Sequence, residues 1–245
     1  VRHGAQEILI GLGGSATNDG GFGMARALGF QFLANEHEVE SPIELVNLHR
    51  IKTPVQRINI KIAAAVDVRN PLLGPRGATR TFGPQKGGTP EQLELLENGL
   101  NRFADVVARD LGFDFRDTAG AGAAGGLGLG LMSFCGATIR SGFDVVAEFI
   151  GLRNAIARAD VVITGEGRLD EQSLEGKAPA GVARLAREAG KRVFAIAGSA
   201  SDALAVRALF DEVLVLARPP ISPEQSIARA SELLQERARE LAGMM

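Results

Sequence analysis

Residues that could carry chemistry or admit a ligand gather in five short runs of this 245-residue chain. The first is Gly11-Leu12-Gly13-Gly14-Ser15-Ala16-Thr17-Asn18-Asp19-Gly20-Gly21, directly after an apolar stretch. Glycine lets a backbone approach an anion closely, and the N-terminus of a following helix offers free N–H groups. Ser15 and Thr17 add hydroxyl donors, while Asn18 and Asp19 could hold a metal or a substrate hydroxyl. A tight strand-to-helix turn is the plainer reading, but the density of small polar residues favours a ligand loop. Gly11 to Ala16 also satisfies G-x-G-x-x-A, yet Thr17 to Gly21 interrupts the helix that a dinucleotide loop enters at once. A G-x-x-x-x-G-K-[ST] run is absent from the sequence, which disfavours a P-loop.

The second run, Val66-Asp67-Val68-Arg69-Asn70-Pro71-Leu72, sets Asp67 at the C-terminal end of an Ile- and Ala-rich strand, where open α/β sheets bind ligands. Pro71 pushes Asn70 out of helical geometry, and an Asp that merely caps a turn is the alternative. In the third, Phe82-Gly83-Pro84-Gln85-Lys86-Gly87-Gly88, a stiff loop presents Gln85 and Lys86. Lys86 could neutralise a carboxylate or phosphate as a point charge, or simply be solvated. The fourth, Gly120 to Gly130, sets Gly122, Gly126 and Gly130 on one expected helical face. That spacing permits either a close-packed neighbour or an anion at the helix start. The fifth runs from Thr164 through Glu166, Arg168, Asp170 and Ser173, then Gly176-Lys177, beyond an apolar strand. Acids there can hold Mg²⁺ or accept a hydroxyl proton, and Arg168 and Lys177 can offset phosphate charge. A surface ion-pair network is the competing view. His3, His37 and His49 lack metal-ligand spacing, and Cys135 lies in an apolar stretch as a small core residue.

Short apolar runs and helical stretches must position these groups. Strands are expected at Glu7 to Leu12, Ile58 to Val66, Val161 to Thr164, Arg192 to Ala197 and Glu212 to Leu216. Burial on both faces suits parallel strands covered by helices. Three helix starts share one signature: Ser41-Pro42-Ile43-Glu44, Thr89-Pro90-Glu91-Gln92 and Ser222-Pro223-Glu224-Gln225. Each has a hydroxyl at the cap, Pro at the first helical position and an acid or amide at the third. After Thr89 the core stripe is Leu93, Leu96, Leu100, Phe103 and Val107; after Ser222 it is Ile227, Ala230, Leu233, Leu234 and Leu241. The chain beyond about Arg153 repeats strand, loop and helix, the pattern of a doubly wound α/β sheet. The earlier part is less regular and richer in Gly.

Apolar residues make up 45% of the chain and charged residues 23%, and the net charge is −2. That balance suits a soluble globular protein and argues against a nucleic-acid partner. One cysteine allows no intramolecular disulfide and fits a reducing, cytoplasmic setting. Thr118 to Ile139 is uncharged and long enough for a bilayer. Seven of its residues are Gly, so it reads as close packing and no membrane partner is expected. The first residues, VRHGAQEILIGLGG, lack an initiator Met and a signal-peptide pattern, as if cut from a longer chain.

In order along the chain, GLGGSATNDGG, VDVRNPLLGPRGA, FGPQKGG, GAGAAGGLG and ITGEGRLDEQSLEGKAP resemble the glycerate kinase type 1 family. The resemblance implies transfer of the γ-phosphoryl group of ATP, with Mg²⁺, to a hydroxyl of D-glycerate. It implies two α/β domains: an inserted Gly-rich α/β domain over 1–153, and over 154–245 the C-terminal half of a flavodoxin-like doubly wound parallel domain. The family's opening segment, with its Asp-Ser-Phe-Lys-Gly and Asp-Gly-Gly-Glu-Gly runs, does not occur in this sequence. The match is therefore to the C-terminal two-thirds, and the isolated chain is expected to be inactive. Its exposed sheet edge could drive homo-oligomerisation. Ser173 stands where many relatives carry Thr.

On this reading Asp67 or Asp170 orients or deprotonates the attacking hydroxyl, and Asp19 and Glu166 are candidates for Mg²⁺. Lys86 and Arg168 hold the carboxylate or the γ-phosphate. Gly13, Gly14, Ser15, Thr17, Asn18, Asn70, Gln85, Gly122 and Lys177 line the substrate and nucleotide. Two rivals stay open. One is a dinucleotide-dependent oxidoreductase with Glu36 near the ribose, and the other is a non-catalytic module that binds a small hydroxy acid.

Overall fold

The computed structural model describes residues 4–35, 37–171 and 178–245. They form two compact units, Val1–Gly142 and Phe143–Met245. In chain order the first holds β1 (Glu7–Leu12), α1 (Phe22–Ala27), β2 (Gln31–Ala34), β3 (His37–Glu38), β4 (Arg50–Lys52), β5 (Lys61–Val66), α2 (Ala78–Phe82), α3 (Pro90–Leu111), α4 (Ala123–Cys135) and β6 (Thr138–Arg140). The second holds α5 (Gly142–Phe149, whose first residue ends the first unit), α6 (Leu152–Arg158), β7 (Val161–Leu169), α7 (Ala178–Glu188), β8 (Arg192–Ala200), α8 (Leu204–Arg207), β9 (Glu212–Val215), α9 (Pro223–Ala228) and α10 (Ala230–Ala242). The division thus falls before the expected boundary near Arg153. Packing explains the shift. Ala147 and Ile156 are buried in the core of the second unit. A Cβ on Gly181 would stand 2.4 Å from the Phe143 ring, so helix and ring meet where only glycine fits.

The expected strands are present and pair in parallel. In the first unit the order is β1-β5-β6, with Leu12 opposite Val66 and Ala65 opposite Arg140. In the second it is β7-β8-β9. Strands β2, β3 and β4 form a separate antiparallel sheet in the order β3-β2-β4. Phe32 of β2 lies 4.9 Å from Phe22 of α1 and 5.8 Å from Phe103 of α3, centroid to centroid. Phe32 and Phe103 are each fully buried. Each such side chain contributes about 1.5–3 kcal/mol by leaving water, and together they tie the small sheet to the helices that carry the site loops.

Two of the three cap signatures form. Thr89 and Ser222 each make a reciprocal capping box with the Gln three residues on. Ser41 makes none: only a 3-10 turn follows, and the Glu44 carboxylate accepts instead from the Glu40 amide. The helix after Ser222 breaks at Arg229, so its apolar stripe splits. Leu233 and Leu241 are buried, whereas Ile227 is 78% exposed. The Gly122, Gly126 and Gly130 face does not exist as one helical row. Ala124, Gly125 and Gly126 have φ of 52, 70 and 90°, so the chain turns left-handed before α4 becomes regular. Among the described residues no helix is long and apolar enough to cross a membrane. Thr118 to Ile139 instead supplies turns, the largely buried α4 and β6.

Candidate active site

The first loop starts where β1 ends. Because β1 and β5 run in parallel and in register, Gly13 and Asp67 emerge at the same carboxyl edge of the sheet, and Ser141 and Gly142 follow β6 there. Helix α1 begins only at Phe22, so the G-x-G-x-x-A match does not open directly into a helix. Instead the chain makes a polar crook. Asp19 Oδ1 accepts from the Gly21 amide at 3.1 Å and Oδ2 from the Gly23 amide at 3.0 Å, so this carboxylate caps the first turn of α1. An acid at that end also opposes the helix dipole.

Lys86 comes to this crook from a distant part of the chain. The 3-10 turn Pro84–Lys86 presents it, and its Nζ donates to Ser15 Oγ at 3.0 Å and to the Thr17 carbonyl at 2.6 Å. An ammonium has three N–H donors, so these two bonds leave one to offer. Burial pushes the amine below the ordinary lysine range, and the nearby Asp19 charge opposes that shift. Gln85 is exposed on the same turn.

Side chains and glycines brace the crook from behind. Asn18 Nδ2 donates to Thr79 Oγ1 at 2.9 Å, and Thr79, in α2, is fully buried. Asn18 Oδ1 is buried and finds no hydrogen-bond partner among the described residues. The left-handed segment before α4 supplies the rest. Gly125 O accepts from the Gly20 amide at 3.0 Å. A Cβ on Gly125 would lie 2.0 Å from the Thr17 carbonyl oxygen. Thr79 does not stand out in the sequence, and the fourth run, which contains Gly125, does not show locally that it meets the first loop. Ala16, Thr17, Asn18, Asp19 and Lys86 then line a cavity of about 350 Å³ together with Pro42, Ile43, Leu93 and Leu96.

The second loop lies along the same sheet edge. Asp67 Oδ1 accepts from the Gly142 amide at 3.1 Å. Asn70 Nδ2 donates to the Arg76 carbonyl at 2.6 Å, and its own carbonyl accepts from the Gly122 amide at 3.0 Å. Gly122 has a packing duty, since a Cβ there would stand 2.1 Å from the Pro71 carbonyl oxygen.

The fifth run differs from its expected form. It is not a loop after Thr164 but a continuation of β7 to Leu169, paired with β8 as far as Leu169 opposite Ala200. A Cβ on Gly198 would stand 2.4 Å from the Gly167 carbonyl, so the two strands approach where glycine alone is tolerated. In a strand, alternate residues share a face, so Glu166 and Arg168 project together while Leu169 is buried on the other side, and Asp170 follows directly after the strand. Arg168 Nε lies 3.3 Å from Asp170 Oδ2. Lys177 and Ser173, like Glu36, fall outside the described residues.

Mg²⁺ commonly takes one or two carboxylates and completes its shell with phosphate oxygens and water. Among the described residues no three His, Cys, Asp or Glu side chains cluster as a self-sufficient metal cage. Glu166, Asp170 and Asp19 are hard oxygen donors of the kind that Mg²⁺ takes. Both oxygens of Asp19 accept amides, and Asp170 is paired with Arg168.

Parallel strands closed at their carboxyl ends by polar, glycine-containing loops define an α/β protein of the class in which ligands gather at that edge. More particularly, the chain belongs to the glycerate kinase family, whose model matches residues 1–245. A glycerate kinase of Bacillus subtilis (strain 168) is 42% identical over 246 residues, covering 98% of this chain and 64% of that protein. A glycerate 2-kinase of Escherichia coli (strain K12) is 44% identical over 211 residues, covering 84% of this chain and 55% of that protein. A crystal structure described as that of a glycerate kinase 2 from Salmonella typhimurium LT2 superposes with a TM-score of 0.76 at 42% identity. It is matched over 99% of this chain and 66% of its own. The chain thus spans less than two thirds of the length of these relatives.

Proposed function

We propose that the chain works in ATP-dependent phosphorylation of D-glycerate. The observation that carries the reading is Lys86, held by Ser15 and Thr17 at the carboxyl edge of β1 with one N–H to spare. Membership of the glycerate kinase family supports a phosphate or a carboxylate as the partner of that cation. Phosphoryl transfer asks a protein mainly for positioning and charge stabilisation, and each candidate residue has a part in that. Gly13, Gly14, Ser15, Thr17 and Asn18 line the phosphates through backbone and hydroxyl groups. Lys86 holds phosphate oxygens, and Arg168 and Lys177 offset the remaining charge. Asn70, Gln85 and Gly122 shape the edge of the site. Asp67 or Asp170 orients the glycerate hydroxyl and takes its proton. Glu166 and Asp19 are the candidates to hold Mg²⁺. When bound, the ion would neutralise charge that develops on the phosphate oxygens.

The test is ADP release, followed in a coupled assay on the gene product that contains this chain, with and without D-glycerate. Release that saturates with D-glycerate and is absent with L-lactate is the expected result. ADP release independent of the acid would overturn the reading. Titration with NADH in parallel separates the oxidoreductase alternative, for which no binding is expected.

A further inference from the structure

The cavity beside Lys86 has a lining of two unlike kinds. The Lys86 ammonium and the polar residues Thr17, Asn18 and Asp19 contribute to it, and so do the apolar residues Pro42, Ile43, Leu93 and Leu96. Ile43 is 58% exposed, so its side chain is open to a partner in the cleft. At about 350 Å³ the cavity falls within the range that ordinary small-molecule sites occupy. D-Glycerate is a poor match for the apolar residues. Every carbon of that acid carries a hydroxyl or a carboxylate, and burying such groups against Pro, Ile and Leu would leave them without partners. A nucleobase is planar and has two π faces that apolar side chains can cover, while the attached phosphates require a cation close by.

We propose that the Pro42–Ile43 turn and the Leu93–Leu96 segment of α3 form the base-binding wall for the nucleoside triphosphate, with its phosphates turned towards Lys86. The inference rests on the kinase reading and assigns one end of its donor substrate to a place the first loop alone does not identify. It leaves D-glycerate to the polar groups elsewhere along the strand ends.

Binding separates base from phosphate without reliance on turnover. Calorimetric titration would compare a non-hydrolysable ATP analogue with inorganic tripolyphosphate, on the unsubstituted protein and on Ile43→Asp. Ile43 is exposed enough for the variant to fold, and Ile43→Ala serves as a milder second variant. The analogue should bind the unsubstituted protein at least about tenfold more tightly than tripolyphosphate, the effect of one good apolar contact. Ile43→Asp should erase that advantage, Ile43→Ala should reduce it, and tripolyphosphate affinity should stay within about twofold, a tenfold step being 1.4 kcal/mol. Equal affinity of analogue and tripolyphosphate for the unsubstituted protein would overturn the proposal. So would an undiminished advantage in Ile43→Asp, or a variant that loses D-glycerate binding while keeping the analogue. Failure of the kinase reading itself would look different: the unsubstituted protein would release no ADP in response to D-glycerate, whatever the wall binds.

Discussion

Replacing Gly125 with alanine should cost far more stability than the size of a methyl group suggests. Gly125 has φ of +70°, a conformation that costs an L-residue about 1–2 kcal/mol. Its new Cβ would also stand 2.0 Å from the Thr17 carbonyl oxygen and 2.8 Å from Asn18 Cα, so backbone must move. Overpacking of this kind costs about 1–3 kcal/mol, which brings the sum to about 2–5 kcal/mol. Gly112→Ala is the matched control. Gly112 has φ of +81° but nothing within 4 Å of the methyl that alanine would add, so only the conformational part, about 1–2 kcal/mol, should appear. The chain has no Trp and no Tyr, so denaturation is best followed by far-ultraviolet circular dichroism. Because Thr17 O is also an acceptor for Lys86, Gly125→Ala should weaken tripolyphosphate binding as well, whereas Gly112→Ala should not. Equal losses of stability in the two variants would refute the claim that this left-handed turn seats the first loop.

Burial holds the Lys86 amine below its ordinary pKa. Between that lowered value and the ordinary lysine value the unfolded chain binds more protons than the folded one, so this group makes stability rise with pH across the window. Lys86→Met should flatten the rise in a series of urea midpoints. Asp67→Asn keeps an oxygen for the Gly142 amide but cannot take a proton. If Asp67 is the base, turnover should fall about 10²–10⁴-fold, with the urea midpoint and the ATP KM unchanged; the same comparison at Asp170 decides between the two acids. Thr89→Ala removes one half of a formed capping box on α3 and should lower stability by about 1 kcal/mol, read as a shifted urea midpoint.

Much of the scaffold could be read from the sequence, since β1, β5, β8 and β9 are apolar runs closed by turn residues. What escaped has definite physical causes. The end of β7 contains Gly165, Gly167 and three charged or polar neighbours, a poor strand by local preference. Its ladder with β8 and the close passage of Gly198 by Gly167 override that preference. Strands β3 and β6 are two and three residues long, too short to show any alternation. The Thr89 and Ser222 caps were legible because the capping box is local, while the same signature at Ser41 meets only a 3-10 turn. At the site, residue types pointed to Lys86 and to the first loop, but not to their bond. Lys86 and Ser15 are 71 positions apart, and no spacing rule links them. Thr79 was hidden for the same reason: a buried threonine that holds Asn18 looks like any other core residue until the chain is folded.

In the proposed reaction Lys86 is the cation that meets phosphate during transfer to D-glycerate, and every other role is arranged around it. Phosphorus-31 NMR of the gene product with ATP, Mg²⁺ and D-glycerate tests this directly. A phosphomonoester resonance should grow only when D-glycerate is present, and in Lys86→Met it should grow more slowly by about 10²–10³-fold, the usual loss on removing one charge-stabilising donor. A Lys86→Met protein that forms the phosphomonoester at the unsubstituted rate, or an unsubstituted protein that forms none, would contradict that role.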